Sequence, residues 1–316
     1  MSFADAVFWP VAEPRRGVAG ASLLSSLSGI AAMAAIIAAT VLPDPHDPTQ
    51  SHEDADARAR AALEEQVRYK GGETLIAAYT GSPYTYASDL HITRPGTDMT
   101  VHGIDWEGKA FDDPIYYGVR VARWLSGSRI GTMIDFTHSK AYAPLEQEVP
   151  LSGTSEGAAL PPRAKIGDVF HKLEFTHGHN MLTFNLLWRL PSIGSFVSPY
   201  VGFGLGAALP HTEVQLKGVR GRTYEYQYVG PAAQVLIGVE LRVPRLSYFA
   251  EYKLTAASYR APLQNREGSA LPLDLLNQFQ RWWSGEPPVG GWASTTLVSH
   301  QAIGGMGFRT LPAPAP

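Results

Sequence analysis

The chain of 316 residues contains no cysteine. This absence excludes disulfide bonds, thiolate nucleophiles, zinc–thiolate centres and iron–sulfur clusters. Charged residues are also few, at 17% of the chain, and they nearly cancel, with 26 Lys and Arg against 29 Asp and Glu. Such a balance argues against a general nucleic-acid-binding protein, so we expect no nucleic-acid partner.

Long apolar runs are missing beyond residue 42. Because a spanning helix needs a run of about 18 apolar residues, the rest of the chain can cross a membrane only as a β-barrel. What the chain has in quantity is glycine and tyrosine, with 31 and 14 residues. Many Gly and Tyr with few charges are typical of β-structure rather than of a helical bundle.

The first 42 residues have the pattern of an export segment. Arg15 and Arg16 precede an apolar stretch over 18–42, which is densest at 30–41. A basic start followed by about 12 apolar residues is typical of a secretory signal, although the long leader before it keeps an uncleaved anchor as the alternative. We therefore expect a signal peptide or N-terminal anchor over 1–42 and a flexible periplasmic linker over 43–72.

From residue 73 onward, apolar residues alternate with polar or small ones. In one segment Leu182, Phe184 and Leu186 form an apolar face, while Thr183 and Asn185 lie on the other. This period of two predicts β-strands. Eight segments show it: 73–89, 99–125, 130–142, 169–190, 196–216, 223–243, 246–261 and 295–311.

The links between these segments indicate how the strands are arranged. Links 126–129, 191–195 and 244–245 are short, whereas 90–98, 143–168 and 262–294 are long. Short turns at one rim and long loops at the other are typical of outer-membrane barrels. We predict an all-β fold over 73–316, an eight-stranded antiparallel transmembrane barrel of a Gram-negative outer membrane. Its long loops should be extracellular and its termini periplasmic.

A barrel of eight strands is narrow enough to be filled by its own side chains. Parity predicts that both signs of charge face inward, which favours a buried ion-pair plug over a conducting pore. We expect an aromatic girdle at the short-turn rim, formed by Trp124, Trp188, Tyr200, Tyr248 and Phe308. The predicted inward set is Arg120, Asp135, Asn185, Arg189, Gln234, Glu240, Arg242, Glu251 and Lys253.

Residues that can carry chemistry gather near the long-loop rim. Parity points His138 and His211 outward with the leucines, unless Gly178 and Pro210 mark bulges, and both alternatives stay open. His177 and His179 are two apart on one strand, so they could share a divalent metal with a carboxylate. The candidate catalytic residues are Glu107, His138, Glu174, His211 and Glu213, and the candidate substrate-binding residues are Lys109, Lys140, Asn180 and Tyr226.

Two other patterns are weaker evidence of function. The glycine-rich stretch at 202–206 lies within a strand with no helix after it, so we expect no flavin or nicotinamide site. The stretch LDLLNQFQRWW at 273–283 is apolar and aromatic at helical spacing. It either rests on the membrane surface or caps the barrel.

Several of these stretches together resemble the lipid A oxidase family of rhizobial outer-membrane barrels. The resemblance extends in order over most of 73–310 and leaves out the first 70 residues and most of 262–294. The stretches that carry it are WEGKAF (106–111), YYGVR (116–120), DFTHSKAYA (135–143), LEFTHGHNMLTFN (173–185), PYVGFGLGAALPHTEV (199–214), TYEYQYVGPAAQ (223–234) and EYK (251–253).

The resemblance implies an enzyme that oxidises the proximal glucosamine of lipid A to aminogluconate with molecular oxygen. Its expected partners are lipid A or lipopolysaccharide, outer-membrane lipid and, during insertion, the barrel-assembly machinery. A bound divalent metal working with oxygen is the most economical cofactor, because no redox motif is present. Two rival functions remain: a lipid A deacylase of similar fold, and a non-catalytic structural or adhesive barrel.

Overall fold

The computed structural model of the chain describes residues 72–175, 178–193, 196–243 and 245–310. The segment predicted as a signal or anchor, and all of the predicted linker except residue 72, lie outside these described residues. No helix within the described ranges is long and apolar enough to cross a membrane. The elements of this part of the chain are β1 (Glu73–Thr85), β2 (Ser88–Arg94), β3 (Thr97–Ile104), β4 (Tyr117–Trp124), β5 (Ile130–His138), β6 (Ala141–Tyr142), β7 (Glu148–Ser155), β8 (Ala158–Ala159), β9 (Arg163–Lys165), α1 (Ile166–Val169), β10 (Phe170–Phe175), β11 (Met181–Arg189), β12 (Val197–Ala208), β13 (His211–Leu216), β14 (Thr223–Tyr226), β15 (Gly230–Val243), β16 (Leu246–Pro262), α2 (Leu271–Trp283) and β17 (Trp292–Thr310).

Eight of these strands close into an antiparallel barrel. Their order is β1-β4-β5-β11-β12-β15-β16-β17, and β17 pairs with β1 to complete the cylinder. The closing pair is continuous from Thr74 opposite Thr310 to Thr85 opposite Ser299. Each barrel strand therefore has a partner on both sides, which removes the exposed edges that an open sheet would have. The predicted eight-stranded antiparallel barrel is confirmed.

The burial pattern of the barrel is the reverse of that in a water-soluble protein. On β15 the exposed side chains include Val235, Ile237 and Val239, whereas Gln234 and Glu240 are buried. An apolar outer surface around a polar interior is favourable in lipid and unfavourable in water. The fold is therefore a transmembrane barrel of the outer-membrane type.

Paired charges fill the middle of the barrel. Arg120 donates to both carboxylate oxygens of Glu251, at 2.9 and 3.0 Å. The Lys253 ammonium lies 2.6 Å from Asp135, which also faces Arg120 at 3.3 Å. These four residues, two of each sign, are all buried. Their mutual pairing offsets the high cost of burying each charge alone.

A second ionic cluster occupies the short-turn end of the lumen. Glu73 accepts hydrogen bonds from Arg189 and Arg242, and Arg189 also lies 3.3 Å from Glu240. A cavity of about 20 Å³ between the two clusters has room for about one water molecule. The ion-pair plug predicted by parity is thus confirmed.

The predicted aromatic girdle is only partly correct. Trp188 and Phe308 are exposed on the outer surface, but Trp124 and Tyr200 are buried in the lumen. The Arg189 guanidinium lies 4.0 Å from the ring centroid of Trp124, and the Tyr200 hydroxyl donates to Glu251 at 2.8 Å. Both rings share the parity of inward-facing residues on their strands, so they contribute to the plug instead of the girdle.

Four of the predicted long strands are each two strands that belong to different sheets. The segment 130–142 contains β5 and β6, and the segment 169–190 contains β10 and β11. In the same way, 196–216 divides into β12 and β13, and 223–243 into β14 and β15. The segment 99–125 also divides, into β3 and β4, but both of these strands belong to the barrel sheet. The backbone leaves the barrel at Gly178 and Gly230, which have φ angles of 128° and 152°. Alternation does not reveal these breaks because both sheets impose a period of two.

A second layer of structure covers the long-loop end of the barrel. Strands β6, β10, β13 and β14 form a four-stranded sheet in the order β14-β13-β10-β6, which we call the rim sheet. Strands β2, β3 and β7 instead extend the barrel sheet, because β2 pairs with the first residues of β17, at the long-loop end. An apolar core that includes Trp106, Leu173, Phe175 and Tyr259 lies between these parts and holds the rim sheet on the barrel.

Candidate functional site

At its centre, where β10 pairs with β13, the rim sheet has one apolar and one polar face. Leu173, Phe175 and Val214 lie on the face that packs in the apolar core. On the other face, cross-strand pairs align Tyr142 with Glu174, Glu174 with Glu213, and Glu213 with Tyr224. Directly paired residues share a face of the sheet, so these four side chains form one transverse line, which we call the rim row.

Two carboxylates stand side by side at the centre of the rim row. Glu174 and Glu213 are directly opposite each other, which brings their Cβ atoms to about 4.5–5.5 Å. Their side chains are only 14% and 7% exposed. Like charges in such a position repel, and nearby cations offset the repulsion: Lys172 lies 3.0 Å from Glu174, and Arg222 lies 3.3 Å from Glu213.

Tyr142 adds a hydroxyl donor to the end of the row. Its burial raises the pKa of the phenol, and the nearby Glu174 carboxylate raises that pKa further. The phenol is therefore protonated at neutral pH and can donate a hydrogen bond. The ammonium groups of Lys109 and Lys140 lie 4.3 and 5.8 Å from the centroid of its ring.

Lys140 is a buried cation beside the row. Its ammonium donates to the carbonyl oxygen of Asp112 at 2.9 Å, and burial lowers the pKa of this lysine. Glu107 lies nearby because its backbone exchanges two hydrogen bonds with that of Tyr142, of 2.9 and 3.0 Å. The Glu107 side chain is half exposed and lies 3.5 Å from the Lys109 ammonium.

His211 lies on the same face as Glu213, two residues along β13. Its ring centroid is 4.3 Å from that of Tyr224 and 4.7 Å from that of Tyr226. Burial raises the pKa of Tyr226, and so does the neighbouring Tyr117. Tyr117 is itself exposed on the outer surface of β4. Tyr226, at this end of the polar face, therefore lies near the lipid-facing surface of the barrel.

His138 also has the outward parity, since it follows Ile134 and Phe136 at alternate positions of β5. Its Nδ1 donates to Asn180 at 2.9 Å, and its ring stacks on Tyr117 with centroids 4.8 Å apart. The strands do break near Gly178, but His138 keeps its outward position. The structure thus places His138 on the outward side of its strand, which is one of the two positions that parity left open.

His179 lies on the apolar side of the rim sheet and not on its polar face. Its Nδ1 forms a hydrogen bond with the Tyr259 hydroxyl, and the imidazole is fully buried in the apolar core. Burial, together with the nearby His138, lowers the pKa of His179 to about 4, so the ring is neutral at physiological pH. A structural role explains these contacts.

The divalent metal predicted at His177 and His179 stays a prediction. One of its two histidines, His177, lies outside the described residues. Within the described ranges, no three His, Asp or Glu side chains come together in a way that could hold a metal ion. We therefore assign no step of a reaction to a metal.

The structure brings most of the predicted site residues together. Sequence reasoning missed Tyr142 and Tyr224, which complete the rim row, and Lys172 and Arg222, which flank its carboxylates. The alternation of Tyr224 and Tyr226 beside the strand of His211 was the available signal. The predicted residues on or beside the polar face are Glu107, Lys109, His138, Lys140, Glu174, Asn180, His211, Glu213 and Tyr226.

This arrangement has the parts needed for proton transfer and for binding an anion. A carboxylate can accept a proton, the Tyr142 hydroxyl can donate a hydrogen bond to a developing negative charge, and two lysines can hold an anionic group. All of them lie at the long-loop end of the molecule, beyond the apolar band of the barrel.

Comparisons with known proteins find no matching family model and no matching curated protein. Solved structures with a similar arrangement include Neisserial surface protein A, at 10% identity and a TM-score of 0.34, covering 77% of this chain and 99% of that one. Ail of Yersinia pestis, solved with the heparin analogue sucrose octasulfate, matches at 11% identity and a TM-score of 0.29, covering 76% of this chain and 99% of that one. The N-terminal β-barrel domain of Pseudomonas aeruginosa OprF matches at 10% identity and a TM-score of 0.30, covering 75% of this chain and 97% of that one. At such values the likeness carries no argument about function, and the fold rests on strand order and burial.

Proposed function

We propose that this chain is an outer-membrane enzyme that acts on the head group of lipid A, with the rim row as its catalytic centre and its long loops extracellular. The observation that supports this most directly is the position of the paired carboxylates Glu174 and Glu213. They lie side by side on the polar face of the rim sheet, at the long-loop end and beyond the strands whose outer side chains contact lipid. The head group of a lipid in that leaflet would lie at the same level.

Oxidation of the proximal glucosamine is the reaction that the family resemblance favours. The anomeric hydroxyl gives its proton to a base, and the C1 hydrogen leaves with two electrons. Dioxygen accepts the two electrons and two protons and is released as hydrogen peroxide. Water then opens the resulting lactone to the aldonic acid, so that the sugar gains one oxygen atom. We assign the base to Glu174, with Glu213 beside it.

The other residues of the site would bind and orient the sugar. Tyr142 would donate a hydrogen bond to the sugar oxygen as its negative charge develops. Lys109 and Lys140 would bind an anionic group of the substrate or product. His138, held by Asn180, and His211, held between two tyrosine rings, would set the outer limits of the site.

Mass spectrometry of lipid A from a Gram-negative host with and without this chain tests the proposal. A gain of one oxygen atom in the presence of the chain supports oxidation. Loss of an acyl chain would identify a deacylase instead. Unchanged lipid A, with the barrel folded in the membrane, would identify a non-catalytic barrel.

Glu174→Gln tests the assignment of the base. Because removing a general base costs about 10²–10⁴-fold in rate, we expect the fraction of oxidised lipid A to fall by about 100-fold or more. Glu146→Gln is the matched control, since Glu146 has an 87% exposed side chain in a loop and should leave the product unchanged. Both variants must keep the heat-modifiable migration of a folded barrel. Full activity of folded Glu174→Gln would contradict the assignment.

A further inference from the structure

Helix α2 packs on the protein through its polar side. Asp274, Gln278 and Arg281 are spaced i, i+4 and i+7, which places them on one face of the helix. The Gln278 amide exchanges two hydrogen bonds with the backbone of Tyr228, of 2.7 and 2.8 Å. Asp274 is buried and accepts from the backbone of Tyr226 at 3.2 Å, and Arg281 lies 3.3 Å from the buried Glu225.

The opposite side of α2 is apolar and exposed. This orientation is the reverse of a helix on a water-soluble protein, which buries its apolar face and exposes its charges. The two charged residues of the helix, Asp274 and Arg281, both face the protein. The exposed apolar side chains are Leu273, Leu276, Phe279, Trp282 and Trp283, and the last of these is 80% exposed.

The attachment of α2 fixes its depth relative to the lipid-facing band of the barrel. On β15 the outward-facing positions from 231 to 241 are all apolar. Eleven strand residues that rise about 3.3 Å each, at a tilt of about 40°, cover about 28 Å, close to the about 25 Å of an outer-membrane apolar band. Tyr228 lies three residues beyond this band. The helix bonded to Tyr228 is therefore at the level of lipid head groups, where Trp and Tyr are enriched.

We propose that α2 is an interfacial anchor that lies in the plane of the membrane leaflet at the long-loop end. Its leucine and aromatic side chains insert at the boundary between head groups and acyl chains, and the occupant of its apolar face is the bilayer itself. The absence of charge on that face favours insertion over electrostatic attachment. Through Asp274 and Arg281 the anchor holds β14, and hence the rim sheet, against the membrane. This proposal does not depend on any catalytic activity.

Single-cysteine spin labelling tests the proposal without removal of native residues, because the chain has no cysteine. Leu276→Cys carries the label in phosphatidylcholine nanodiscs, and collisions with oxygen and with a water-soluble nickel complex report its surroundings. Ile237→Cys, on the outer barrel surface, is the lipid control, and Lys217→Cys, exposed beyond β13, is the water control. We expect the Leu276 label to match the lipid control, with high oxygen and low nickel collision rates.

Two results would overturn the proposal. A Leu276 label that matches the Lys217 control would show that the apolar face is in water. Dipolar broadening between labels would show that a second copy of the chain covers it. Phe279→Cys provides a second label on the same face if the first variant does not fold, and heat-modifiable migration checks folding of both.

Discussion

Individual residues in the lumen are held by networks rather than by single pairs. Lys253 contacts Asp135 at 2.6 Å and the Tyr79 hydroxyl at 2.8 Å, and Asp135 also faces Arg120. Each side chain is buried where water cannot replace a lost partner. Removal of one charge therefore leaves its partner buried with less compensating charge. The stability lost in this way is larger than the net stability that the intact ion pair contributes.

Lys253→Met should destabilise the barrel by about 3–5 kcal/mol, because it leaves Asp135 with less compensating charge. The measurement is the free energy of unfolding from guanidinium titrations in detergent micelles. Lys217→Met is the matched control, since it removes an exposed lysine and should change stability by less than about 0.5 kcal/mol. The double variant Lys253→Met/Asp135→Asn should lose less unfolding free energy than the two single variants lose in sum. Equal stability of the two lysine variants would contradict the ionic plug.

At the scale of elements, the strands that leave the barrel build the candidate site. β13 continues from β12, and β14 leads into β15, so the rim sheet is attached to the barrel by covalent continuations of its strands. Its apolar face is held by core residues such as Phe175, whose ring contacts Tyr259 with centroids 4.9 Å apart and Trp106 at 5.9 Å. The rim sheet is thus a separate packing unit on a barrel that closes without it.

Phe175→Ala should loosen the rim sheet while the barrel stays closed. Truncation of a buried Phe costs about 3–5 kcal/mol, and here the loss falls on packing between the rim sheet and the barrel. We expect faster amide hydrogen exchange in β10 and β13 and unchanged exchange in β15 and β16. Phe203→Ala, which truncates a half-exposed ring on the outer surface, should change neither. Equal acceleration in all four strands would show that the two parts unfold as one.

At the scale of the whole molecule, the sequence was sufficient to predict the barrel but not the layer above it. The period of two and the alternation of short and long links depend only on local order along the chain, so they predicted eight strands and a charged lumen. The second sheet has the same period, and its boundaries depend on backbone geometry at Gly178 and Gly230. The register that places Glu174 opposite Glu213 arises from tertiary packing, so sequence could place these residues at one end but not side by side.

The most direct test of the account is an oxygen-accessibility scan along β15 in a bilayer. Single spin labels placed at each position from 231 to 241 should show collision rates with oxygen that alternate with a period of two. The odd-numbered positions should be high and the even-numbered ones low, because the former face lipid and the latter face the ionic lumen. A flat profile, or odd-numbered positions that collide mainly with the water-soluble nickel complex, would contradict a lipid-embedded barrel and the membrane-facing site built on its rim.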